Sequence, residues 1–231
     1  IYRYWKHRQN IGDELMDNVT IVIPARKGSK GFPKKNRHLF DYTAKQIPIN
    51  LSDHIVVTSD DEEILNRAKA YNFRTIERSQ KLSQDETSMG LVIKDVADQF
   101  NVTPDHDLIT LYLTYPQRTW NQVEEIYKFY KEQNARSLLC RKDLHDHPYK
   151  CFYKKGFKGE KIIKHNLYRR QQYPECFEAS HYVVITKANV LDSLDKNLHF
   201  ADTYFYRIEN KILDVDYLQD LKEFKGNNLN D

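Results

Sequence analysis

The sequence predicts an α/β sandwich, with a mostly parallel sheet covered by helices on both faces. Short β-branched runs alternate with helix-period segments along nearly the whole chain, the pattern of βα units wound into a parallel sheet. The first apolar run also leads straight into a loop rich in glycine and lysine, at the carboxyl edge of the strands where open α/β sheets bind ligands. With 231 residues, 40% of them apolar and 13% aromatic, the chain is long enough to bury a core as one domain.

Each element follows from its own stretch. "VTIVIP" at 19–24 is the first strand. A second is expected at 55–58, then a helix with Ser59 as N-cap and Glu62 completing a capping box three residues on. Leu65, Ala68 and Lys69 follow at helical spacing. "LITLYLT" at 108–114 reads as a buried strand, and Trp120, Val123, Ile126, Tyr127 and Tyr130 share one helical face, a core stripe. "SLLC" at 137–140 is another strand. From Arg141 to Glu178 the texture turns basic, aromatic and irregular, with a hairpin signal at "KKGFKGE", as in an inserted flap or a subunit contact. "HYVVIT" returns to strand and "KANVLDSL" to helix. "KILDVDYLQDLKEF" closes with strand then helix, and the tail "KGNNLND" is expected to fray. One domain over 19–226 is expected, with 141–178 as its flap and 1–18 as an extension or the tail of an upstream domain, since Met16 stands just before the first strand.

Composition removes some classes of function. The net charge of +3, with Lys and Arg interleaved among Asp and Glu, argues against wholesale nucleic-acid binding, including a single-strand binder using exposed tyrosines. Three scattered cysteines make neither a disulfide framework nor a CxxC metal site and suit a reducing cytoplasm. No apolar run approaches the roughly 20 residues of a membrane span.

The loop "IPARKGSKGFPKKN", residues 23–36, packs two glycines, two prolines and five basic side chains into fourteen positions. Gly28 and Gly31 let the backbone approach an anion closely, and Arg26, Lys30 and Lys35 are placed to neutralise a polyphosphate. The loop is neither GxxxxGK[ST] nor GxGxxG, which disfavours a Walker-type ATPase and a dinucleotide site.

This stretch resembles the IPARxGSKGxPxKN signature of the acylneuraminate cytidylyltransferases, or CMP-sialic acid synthetases. Other segments resemble that family's motifs in the same order: "VVTSDDEEILNRAK", "ERSQKLSQDETSM", "HPYK", "RRQQYPECF" and "LDVDYLQDL". The resemblance runs from about Val19 to about Phe224. It implies the Rossmann-like three-layer α/β/α fold of nucleotide-diphospho-sugar transferases, with an antiparallel addition from the flap. It also implies transfer of CMP from CTP to a nine-carbon 2-keto sugar acid, magnesium as cofactor, and a homodimer formed through the flap.

Residue by residue, the resemblance assigns Arg26, Ser29, Lys30, Gly31, Lys35 and Asn36 to the phosphate and nucleotide loop, with Arg26 and Lys35 carrying most of the transition-state charge. Arg78, Asp85 and Ser88 match the segment that embraces the cytidine. Lys150 and Arg170 match positions near the sugar acid. Asp214 and Asp216 match the metal pair: two residues apart, they face one side of an extended segment, and hard carboxylates with phosphate oxygens suit Mg²⁺. Spacing alone leaves equally open that Asp216 caps the helix "YLQDLKEF" and Asp214 is solvated. Asp60 and Asp61 read as structural, and His145 and His147 as a surface turn.

The departures gather where the family meets its sugar and base. The family's LQPTSPLR becomes "LYLTYPQR", which puts Tyr112 in place of a sugar-binding glutamine and Leu113 in place of a proline. "SHY" at 180–182 replaces NGA, Met89 replaces a second serine, Lys27 stands where glycine is usual, and the stretch from Asn36 to Ile55 is shorter by roughly two helical turns. The expectation is a working cytidylyltransferase with an altered acceptor. A different acceptor class on the same fold and a catalytically silent assembly domain are the alternatives.

Overall fold

A computed structural model describes residues 18–209 and 212–227. The extension expected over 1–18 lies outside them but for Asn18, as does the tail from 228. Among the described residues the strands are β1 (Val19–Pro24), β2 (Ile55–Ser59), β3 (Arg74–Glu77), β4 (Asp107–Thr110), β5 (Ser137–Asp143), β6 (Phe152–Lys155), β7 (Lys158–Lys161), β8 (Phe177–Lys187) and β9 (Tyr204–Arg207). The α-helices are α1 (Lys35–Ala44), α2 (Glu62–Ala70), α3 (Met89–Gln99), α4 (Trp120–Glu132) and α5 (Leu218–Asn227).

Seven strands form one sheet in the order β3-β2-β1-β4-β8-β5-β9. All its pairings are parallel except those of β8 with β4 and β5. The three-layer sandwich follows from side-chain alternation in strands buried on both faces. Ile21, Ile23, Ile55, Val57 and Ile109 point to the side covered by α1, α2, α4 and α5, while Val22, Val56, Ile76 and Leu108 point to the side covered by α3. The expected stripe on α4 is buried throughout, and a capping box of Thr119 and Gln122 starts that helix.

Several boundaries differ from expectation. Asp61, not Ser59, caps α2: its carboxylate accepts from the Glu63 amide, while the buried Ser59 ends β2 and its hydroxyl bridges the Asp61 amide and the Ala25 carbonyl. The strand expected over 108–114 stops at Thr110. Beyond it the Tyr112 carbonyl turns to the buried guanidinium of Arg118 and the Thr114 carbonyl to the Val215 amide. Ala188–Ser193 is a 3₁₀ helix, not α. Described residues before α5 are irregular where a strand is expected, and β9 arises from "YFYR", which carries no alternation. The flap is narrower than 141–178, because β5 and β8 continue their ladder out to Asp143 and Phe177. Its hairpin is as expected, β6 pairing with β7 through Gly156 at φ 62°.

Candidate functional site

Leaving the sheet at Pro24, the chain is clamped to the end of the neighbouring strand. The Ala25 amide donates to the Thr58 carbonyl at 3.0 Å, Ser59 Oγ donates to the Ala25 carbonyl, and the Lys27 amide donates to Asp60 Oδ1 at 2.6 Å. At the loop's far side Asn36 Nδ2 donates to the Arg26 carbonyl at 2.8 Å, so the loop is closed on itself. Lys34, just before α1, takes a left-handed φ of 60°, a conformation uncommon for a side chain of this kind and a local strain the clamps must hold. Behind the loop, Arg37 forks onto the buried Asp61 at 2.7 and 2.9 Å, tying α1 to the N-terminus of α2.

The loop cations converge with carboxylates from distant segments. Arg26 pairs with Asp85, and Lys30 Nζ lies 2.6 Å from the same carboxylate. Lys30 and then Arg26 hold the Asp85 carboxyl down at about 2. Lys35 donates to Asp216 Oδ1 at 2.7 Å. A β-carbon at Gly31 would sit 3.3 Å from the Asp216 carbonyl oxygen and 3.3 Å from the Tyr217 ring, so a side chain there would push these segments a few tenths of an ångström apart. Asp216 does not cap α5 with its side chain; Asp220 accepts from the Asp216 and Tyr217 amides instead.

A cleft of about 170 Å³ opens beside the loop, lined by Arg26, Gly28, Ser29, Lys35 and Asn36 and by Arg78, Met89, Tyr112, Leu113 and Thr114. Arg78 is only 4% exposed and donates to the Thr58 carbonyl at 2.7 Å; burial pushes its guanidinium down to about 10, still charged at neutral pH. Burial likewise raises the Tyr112 hydroxyl and keeps it neutral.

Of the residues expected at the site, Lys30, Gly31, Asp85, Asp214 and Asp216 flank the cleft rather than line it, and Asp85 and Asp216 reach it through the cations they pair with. Ser88 is the N-cap residue of α3 without a side-chain cap bond. Lys150 and Arg170 do not line the cleft; both are exposed on the flap and act on Asp146 there. His147 is structural, accepting from the Tyr149 amide and meeting the Pro174 carbonyl. Sequence reasoning missed Tyr115, whose hydroxyl donates to Asp214 Oδ2 at 2.9 Å, and Arg118, which braces the cleft wall from within the core.

The cytidylyltransferase family profile matches residues 20–114. The chain is similar to the cytidylyltransferases. A pseudaminic acid cytidylyltransferase from Campylobacter jejuni is 26% identical over 222 residues, covering 90% of this chain and 94% of that one. An N-acylneuraminate cytidylyltransferase from Streptococcus agalactiae is 23% identical over 212 residues, 86% of this chain but only 50% of that longer protein. Among solved structures, a CMP:2-keto-3-deoxy-manno-octonic acid synthetase complexed with CTP superposes with a TM-score of 0.65 at 14% identity, over 93% of this chain and 99% of that one. The cytidylyltransferase match holds the loop, Arg78, Asp85, Ser88 and the Tyr112 wall, whereas Asp214 and Asp216 lie beyond it.

Proposed function

We propose that this chain couples CTP to a 2-keto-3-deoxy sugar acid of the sialic-acid class, giving a CMP-sugar and pyrophosphate. The observation that carries this reading is the convergence of Arg26, Lys35 and the Gly28–Ser29 turn on one cleft, with Asp216 docked on Lys35 from the far end of the chain. The acceptor's anomeric hydroxyl oxygen forms a bond to the α-phosphorus of CTP. The bond from that phosphorus to the bridging oxygen breaks, pyrophosphate leaves with the electron pair, and the hydroxyl proton passes to solvent.

Such a transfer gains its rate from positioning and charge neutralisation. Arg26, Lys30 and Lys35 neutralise the triphosphate, Ser29 and Gly31 bring the loop backbone close to it, and Asn36 keeps the loop closed. Arg78, Asp85 and Ser88 face the cytidine; Asp85 acts by holding Arg26 and Lys30 in place. Asp214 and Asp216 fit Mg²⁺, being two hard carboxylates beside the triphosphate cations. These two carboxylates would hold the ion together with phosphate oxygens of CTP; among the described residues no group of three His, Cys, Asp or Glu is arranged to hold a metal. When bound, the ion would supply further charge neutralisation on the phosphates.

Tyr112, Leu113 and Met89 give the cleft a more apolar wall than the acylneuraminate pattern implies, which supports an acceptor other than neuraminic acid itself. Lys150 and Arg170 are read as acceptor-binding groups delivered by the flap of a second copy. The exposed Phe152, Tyr153, Phe157 and Tyr168 on that flap support a homodimer. Three free cysteines agree with a cytoplasmic setting, and the 19–226 segment is taken as the catalytic unit.

The test is pyrophosphate release with Mg²⁺ and each of four nucleoside triphosphates against neuraminic, legionaminic and octulosonic acids, with Asp216→Ala alongside. CTP-dependent release that vanishes in the variant is expected. Binding of CTP with no release from any acceptor would make this a nucleotide-binding module, and failure to bind CTP would end the reading.

A further inference from the structure

Asp214 and Asp216 are held in different ways. Asp216 meets an ammonium group, that of Lys35. Asp214 meets a phenol: Tyr115 Oη donates to its Oδ2 at 2.9 Å from a side chain that is 6% exposed. A cation offsets the charge of its carboxylate, whereas a neutral donor fixes one oxygen and leaves the negative charge in place for another ligand.

The phenol itself is firmly placed. Its ring meets Tyr182 edge-on with centroids 5.4 Å apart. The backbone around it is braced on both sides. Arg118, wholly buried, donates to the Tyr182 carbonyl at 2.6 Å and to the Tyr112 carbonyl at 3.0 Å. The Val215 amide, between the two aspartates, donates to the Thr114 carbonyl at 2.8 Å.

We infer that Tyr115 is the positioning residue of the carboxylate pair, orienting Asp214 as the charged ligand of the divalent cation while Lys35 holds Asp216 against the loop. The inference rests on reading Asp214 and Asp216 as the cation site.

The test is Mn²⁺ binding followed by electron paramagnetic resonance in the presence of CTP, for the wild type, Tyr115→Phe, Asp214→Asn and the double variant. Phenylalanine keeps the ring against Tyr182 and removes only the hydroxyl. Tyr115→Phe is expected to weaken Mn²⁺ binding by about tenfold, with metal-free CTP affinity and thermal midpoint unchanged. In the Asp214→Asn background it is expected to have no further effect. Wild-type binding of Mn²⁺ that Tyr115→Phe leaves untouched overturns this inference alone, and so does an additive effect in the double variant. Failure of the wild type to bind Mn²⁺ with CTP overturns the cation site and this inference together.

Discussion

Lys35 and Asp216 stand 181 positions apart, yet their ion pair is what joins the phosphate loop to the carboxylate segment. Lys35→Met removes both the bond to Asp216 and a cleft cation, and is expected to raise the Kd for CTP at least tenfold, about the loss of one hydrogen bond to a charged group. Gly31→Ala acts by crowding alone: its β-carbon presses on the Asp216 carbonyl, and turnover is expected to fall by about tenfold through displaced groups. Asp85 is governed by its two cations. Its folded value near 2 lies below its ordinary 3.8, so the pairing is present above about pH 4 and lost as pH falls through 2. A carboxyl titration by NMR with a midpoint near 2 is expected, and an ordinary midpoint would mean Arg26 and Lys30 are not held there. The loop residues were legible in sequence because they are contiguous. Tyr115 and Asp214 are 99 positions apart, and no local pattern marks a tyrosine that will meet an aspartate across the fold.

At the scale of elements, β4 and α4 are locked by one buried carboxylate. Asp107 accepts from the hydroxyls of Tyr127 and Tyr130 at 2.9 Å each and from Lys131 at 3.0 Å. Asp107→Ala strands two buried hydroxyls and is expected to cost about 3 kcal/mol in denaturant unfolding, with Asp107→Asn recovering part of it. Helix ends are equally specific. α2, α3 and α4 each close with an asparagine in the left-handed region, Asn72, Asn101 and Asn134, and the following amides of Phe73, Val102 and Ala135 bond back to Ala68, Ala97 and Tyr130. Long periodic elements such as α4 were legible because one apolar face dictates them. β9 and the end of β4 were not, since "YFYR" has no alternation and the run "LYLT" departs from the sheet where Arg118 takes the Tyr112 carbonyl and the Val215 amide takes the Thr114 carbonyl. Ser59 looked like a cap because capping serines are common, but a serine buried in a strand spends its hydroxyl on neighbouring backbone.

For the whole molecule, one sheet edge gathers the loop, the cleft and the docked carboxylates, while the basic flap projects apolar side chains to solvent. The proposed homodimer predicts twice the monomer mass in sedimentation, and a shift to monomer for the pair Phe152→Asp and Phe157→Asp with the unfolding midpoint preserved. Monomeric wild-type protein would leave Lys150 and Arg170 without a cleft to serve. The claim on which all of this depends is that the 23–36 loop binds the phosphates of CTP. Calorimetric titration of the wild type and Lys35→Met with the four nucleoside triphosphates and Mg²⁺ tests it most directly. Preferential binding of CTP, weakened at least tenfold by the substitution, is expected; equal binding of all four, or CTP binding that the substitution leaves unchanged, would contradict a role for the loop in binding the phosphates of CTP.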